Sequence, residues 1–141
     1  MIRIVSVALL MGVSMAGLLA RAQTPAKASG GVFILLLHED GSFKTLPDKE
    51  AQIAEYREWA DKLGKAGQLV DAAKLQDNGM IVESKGQRKV TPAELPGTGN
   101  GVAGYFVVRA QDYDAAVKLA LTCPHVKYGG RVIVRQLEQG K

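Results

Sequence analysis

A single cysteine, Cys123, is all that the 141-residue chain carries, so no disulfide can close within it and a small cross-linked scaffold is excluded. Histidine is almost as scarce, with His38 and His125 the only two. No i,i+4 histidine pair and no C-x-x-C spacing is present, so no metal site is expected. Charge of one sign is not in large excess either: 18 basic against 14 acidic residues gives +4. Two of the basic residues, Arg3 and Arg21, lie in the first 22 positions, which hold no acid, and without them the margin falls to 16 − 14 = +2. A margin that small argues against nucleic acid or an anionic membrane surface as the partner. The cluster Lys85, Arg88 and Lys89 reads as a solvated hairpin end. What the chain does have is a globular share of hydrophobic residues, 47%.

The one long apolar run comes first. Arg3 opens it, Ile4 to Leu19 is interrupted only by Ser and Gly, and Ala20-Arg21-Ala22 offers small residues where a signal peptidase reads them. The run is shorter than the roughly 20 residues of a permanent span. Residues 1–22 are therefore expected to be a signal peptide cut near Ala22, and the mature protein to be periplasmic or secreted. Contact with a membrane is then expected only through that segment if it stays uncleaved. Residues 23–30, with Ala, Lys, Ser and Pro, read as a flexible mature N-terminus, and residues 31–138 as one domain.

Within the domain, periodicity alternates between two types. Val32 to Leu37 is a β-prone run ended by the Asp40-Gly41 turn. Asp48 is a helix cap, and Ile53, Tyr56, Ala60 and Leu63 recur at helical spacing with Trp59 beside them. Glu58 with Lys62 and Asp61 with Lys65 support that helix, and Gly67 stops it. Leu69 to Leu75 and Met80 to Glu83 read as strands joined by the Asp77-Asn78-Gly79 turn, and positions 91–101 as loop. Tyr105 to Val108 is a further strand. Asp112 caps a second helix with Tyr113, Ala116, Val117, Ala120 and Leu121 as its buried stripe, ended by Pro124. Arg131 to Arg135 closes the sheet.

The order strand, helix, strand, strand, strand, helix, strand is a split β-α-β pattern, so the expected fold is an α+β, ferredoxin-like sandwich. Two helices cover one face of such a sheet, yet Val32 to Leu37 and Tyr105 to Val108 are apolar on both faces. A second copy is the economical cover for the other face, which makes the expected assembly a homodimer packed sheet to sheet, a dimeric α+β barrel.

Tyr56-Arg57-Glu58-Trp59-Ala60 through Gly67-Gln68-Leu69-Val70, then Gly104-Tyr105-Phe106, then Cys123-Pro124-His125, then Gly129-Gly130 before Arg131-Val132-Ile133-Val134-Arg135, resemble in this order the YCII-related, DGPF-type proteins. The resemblance covers roughly Gly31 to Glu138 and implies the same dimeric α+β barrel. Some members are thought to be enzymes because a His and an acidic residue face a cleft. Here that His falls on Tyr56 and that acid on Cys123, and no D-G-P-F occurs near Pro92-Ala93-Glu94-Leu95. A phenol near pH 10 is a poor substitute for an imidazole near 6.5.

The candidate pocket residues are His38, Tyr56, Trp59, Asp71 and His125. They would combine aromatic walls with a few polar tips, suited to an apolar small molecule between helix and sheet. Gly99-Asn100-Gly101-Val102-Ala103-Gly104 fits G-x-G-x-x-G, but a loop precedes it and a strand follows, so no nucleotide and no cofactor is expected. Cys123 reads as a buried structural thiol, and no nucleophile-elbow motif is present. The expected function is small-ligand binding or interaction as a dimer, without assigned catalytic residues. The alternative is a cofactor-independent enzyme of the dimeric α+β barrel class, an isomerase or oxygenase working by proton transfer.

Overall fold

The structure, a computed structural model, describes residues 30–85, 87–97 and 101–138. The expected signal segment, the mature N-terminus up to residue 29, and Gly99-Asn100 lie outside them. The same holds for the side chains of Lys85, Arg88 and Lys89, whose cluster is otherwise placed only by its backbone.

Strand β1 (Gly31–His38) lies inside a four-stranded sheet of order β2-β5-β1-β6, with β2 (Leu69–Lys74), β5 (Gly104–Ala110) and β6 (Arg131–Gln136). Every neighbouring pair is antiparallel. With helix α1 (Lys49–Lys65) after β1 and helix α2 (Tyr113–Leu121) after β5, this is the ferredoxin-like α+β arrangement expected from the sequence. Burial alternates along β1 as a strand period of two requires: Phe33, Leu35 and Leu37 are buried, while Val32, Ile34 and Leu36 are half-buried. The helices therefore cover the odd-numbered set. Under them Trp59 meets Phe106 edge-on, ring centroids 4.8 Å apart.

The first helix begins where its cap predicts: the Asp48 carboxylate accepts from the Ala51 amide at 2.9 Å. It ends at Ala66, with Gly67 just beyond at φ +68°, a left-handed conformation that glycine adopts without cost. Glu58 pairs with Lys62 at 2.7 Å, whereas Asp61 and Lys65 form no ion pair among the described residues. The buried stripe is Gln52, Trp59 and Leu63, with Tyr56 half-buried, and Ile53 points to solvent. That is a rotation of the expected face.

Three further expectations are corrected. First, β2 does not form a hairpin with the strand that follows it. β2 pairs with β5, and β3 (Asn78–Lys85) pairs with β4 (Gln87–Glu94), whose last residues, from Thr91, fall in the stretch expected to be loop. Pro92 disguised it, but both strands of a two-stranded sheet are edges, where a missing N–H is tolerated. Secondly, α2 buries Ala116 and Ala120 alone, while Tyr113 and Val117 are exposed and Leu121 is 66% exposed. Thirdly, Pro124 does not end α2. Thr122 caps it, and Pro124 is the first residue of a short helix, α3 (Pro124–Lys127), where its missing N–H costs nothing.

The β3–β4 hairpin bonds mainly to itself and presents Met80, Val82 (70% exposed) and Val90 to solvent. Isolated two-stranded hairpins are marginal in water. Its amides should therefore exchange with deuterium well before those of β1 and β5, read peptide by peptide by mass spectrometry.

Candidate functional site

The chain reaches His125 through a turn that exists to place it. Cys123 precedes α3, Pro124 starts it, and His125 follows at once, 2% exposed. Its Nε2 lies 2.9 Å from the carbonyl of His38 at the end of β1. A carbonyl only accepts, so Nε2 carries the hydrogen and Nδ1 of the neutral ring is the acceptor. Tyr56 of α1 supplies the donor: its hydroxyl stands 3.0 Å from Nδ1. One imidazole thus ties together β1, α1 and α3. Phe43, from the β1–α1 segment, stacks on the ring with centroids 4.8 Å apart.

The electrostatics follow from burial. Desolvation lowers the proton affinity of His125 below its ordinary value, partly opposed by the His38 carbonyl. Desolvation likewise raises that of the Tyr56 phenol, and the neighbouring Cys123 and Glu39 add to the rise. Burial pushes the Cys123 thiol up to about 11. A neutral imidazole whose lone pair already accepts a hydrogen bond, beside a phenol and a thiol held protonated, makes a sealed polar contact rather than a nucleophile-and-base pair.

The remaining candidates lie elsewhere. Trp59 donates from Nε1 to Thr122 Oγ1 at 2.9 Å and belongs to the core between α1 and the end of α2. Asp71 stands on the opposite side of the sheet, where it accepts from the Tyr105 hydroxyl at 2.9 Å. His38 is 6% exposed, and neither ring nitrogen has a hydrogen-bond partner among the described residues. Tyr56 and His125 are thus brought together, with the His38 carbonyl bonded to the imidazole, while Asp71 is not among them. A concavity of about 570 Å³ opens instead at the base of the hairpin, against Lys74, Asp77 and Glu94, and none of the five candidates lines it. Among the described residues no group of three or more His, Cys, Asp or Glu could hold a metal ion.

Three residues shape this region without standing among the five candidates. Gln52 is buried, accepts from the Leu46 amide at 3.1 Å and donates to the Lys44 carbonyl at 3.0 Å, so it pins the segment that carries Phe43. Its signal was spacing: 52, 56, 59 and 63 fall on one helical stripe, and the polar residue at its head hid the register. Lys127 clamps Glu55 with both contacts under 3 Å, joining α3 to α1. Gly130 is glycine because a Cβ there would run into the His125 ring.

Two outcomes follow from this contact. Gly130→Ala should displace the imidazole and lower the thermal midpoint, and Tyr56→Phe should cost about 1–3 kcal/mol because Nδ1 loses its donor. The folded His125 has the lower proton affinity, so the unfolded chain takes up the proton first on acidification. Its stabilising contribution is complete above about pH 6.5 and is lost as pH falls toward the folded value. Urea midpoints measured from about pH 7.5 down to about pH 5 should fall, and less steeply in His125→Asn.

The sequence profile of the YCII-related domain matches residues 32–138, almost the whole of the described chain and close to the limits that the motif order indicated. Comparison with curated proteins finds no match. The ordered motifs, the ferredoxin-like sheet and a match across more than half of the sequence give one result: the chain belongs to the YCII-related domain family.

Proposed function

We propose that this YCII-related domain is exported and works as a homodimer joined through its open sheet face, as an interaction module rather than a catalyst. The observation that carries the reading is the uncovered face itself. Ile34, Leu36 and Val107 lie side by side on it with Tyr105, on the side of the sheet away from the described helices α1 and α2. All three are already partly shielded by their neighbours, so completing their burial is worth less than the about 1.5–3 kcal/mol of a fully exposed aliphatic group. The space between α1 and the sheet, which a small apolar ligand would need, is filled by Trp59, Phe106 and His125. Proton-transfer chemistry finds less support, because Tyr56 and His125 satisfy each other.

No helix among the described residues is long and apolar enough to cross a membrane. Export rests on residues 1–22, with the cut near Ala22. In a bacterial host the mature protein should begin at or within a few residues of Gln23, and recovery of the intact Met1 form from the cytosol removes this part of the proposal. At tens of micromolar the mature chain should sediment at twice its own mass. Leu36→Lys, on the open face, should give monomers, while Glu58→Lys, on the solvent side of α1, should leave the dimer intact. A wild-type chain that sediments as a monomer overturns the reading.

A further inference from the structure

Helix α2 is turned the wrong way round for its composition. It buries the small Ala116 and Ala120 and leaves the larger Tyr113, Val117 and Leu121 exposed. Those three stand four residues apart, so they form one stripe along the outer side of the helix, about 12 Å from end to end. Tyr113 is tied down, edge-on to Phe33 with ring centroids 5.0 Å apart and its hydroxyl accepting from the Gln136 amide at 3.0 Å. Val117 and Leu121 continue the stripe into solvent. A helix that holds the sheet with alanines and turns its branched residues outward has a second surface to cover.

The strand register fixes where the chain enters the domain. Gly31 pairs with Ala110, the last residue of β5, and α2 begins at Tyr113. Residue 30 therefore lies beside the start of the stripe, while the β3–β4 hairpin departs from the other end of the sheet, where Lys74 pairs with Gly104. Before residue 30 comes the longest apolar run of the chain, residues 4–19, which carries no charge. Residues 20–29 between run and domain reach about 35 Å when extended, well beyond the length of the stripe. The tether makes the encounter intramolecular, at an effective concentration on the order of millimolar. Because α2 covers the Phe33 side of the sheet, a segment lying on it leaves the open face free.

We infer that the occupant of the α2 stripe is the chain's own leader: in the folded full-length protein, residues 4–19 lie along Tyr113, Val117 and Leu121 until the cut near Ala22 releases them. The inference rests on the export proposed above for its last step alone. A chain that folds before it is exported thereby shelters its leader, and cleavage leaves the mature protein with an exposed stripe.

The test is thiol labelling of Leu121→Cys in two forms, the full chain and the chain that begins at Gln23. The native Cys123 is 1% exposed and stays silent while the protein is folded. Leu121→Cys should label about 10-fold or more slowly in the full chain than in the shorter one. Adding Val117→Lys, which sets a charge in the stripe, should bring the full-chain rate back to within about two-fold of the shorter chain. Ser84→Cys, exposed on the hairpin at the far end of the sheet, should label alike in both forms. Equal rates for Leu121→Cys overturn the inference. So does a slowing that Ser84→Cys shares or that grows with protein concentration, since either means association between molecules through the leader. The comparison needs no secretion, so its failure leaves export standing, and an uncut Met1 form in the cytosol leaves the docking standing.

Discussion

Strand β1 has apolar side chains on both faces, and the rest of the architecture answers to that constraint. Phe33, Leu35 and Leu37 need a roof on one side, and α1 and α2 supply it through Trp59, Leu63, Ala116 and Ala120. β5 shares the character, with Phe106 and Val108 turned to the helices and Tyr105 and Val107 turned away. Because β1 and β5 are the two inner strands, their half-buried sides meet in the middle of the open face, not at an edge. A polar second face would have allowed a self-sufficient two-layer domain. Here the second face is apolar at its centre, and that is what supports the proposed dimer.

The second organising contact is His125. Positions 38, 43 and 56, all far in sequence from the ring they surround, meet His125 through a carbonyl, a stacked Phe43 and a hydroxyl. Each partner fixes a different degree of freedom: the carbonyl of His38 sets the tautomer, Tyr56 fills the remaining lone pair, and Phe43 sets the plane. The short helix needs this anchoring, since four residues cannot hold a helix by backbone bonds alone. The cost is chemical, because an imidazole saturated on both nitrogens has no lone pair left to offer a substrate.

The elements most legible in the sequence were those whose residues had a single environment to satisfy. The strand pattern of β1, the Asp48 and Asp112 caps and the Gly67 stop all follow from local chemistry, and all appear where expected. Misreadings came where tertiary partners decided. The Asp77-Asn78-Gly79 turn reads locally as a hairpin, yet β2 finds its partner in β5, some thirty residues further on. In α2 the aliphatic Val117 and Leu121 look buried by hydrophobicity, but small Ala116 and Ala120 let the helix sit close to the sheet on another side. Of the candidate residues, Tyr56 and His125 could each be named from sequence, but their meeting could not, because 69 positions separate them.

The departures from the family pattern take on a physical meaning once the contact is known. The resemblance assigns an imidazole to the first helix and an acid to the position before the proline that follows the second. This chain has Tyr56 at the first position and Cys123 at the second, and its imidazole stands two residues beyond Cys123. An imidazole facing a carboxylate gains proton affinity and can cycle a proton. Here burial lowers the proton affinity of His125, and burial likewise holds the Tyr56 phenol and the Cys123 thiol protonated. In this chain the hydrogen bond between the first helix and the second half of the domain joins two uncharged groups, Tyr56 and His125. On the proposed reading the helix side of the sheet is structural, and recognition falls to the open face that carries Ile34, Leu36, Tyr105 and Val107.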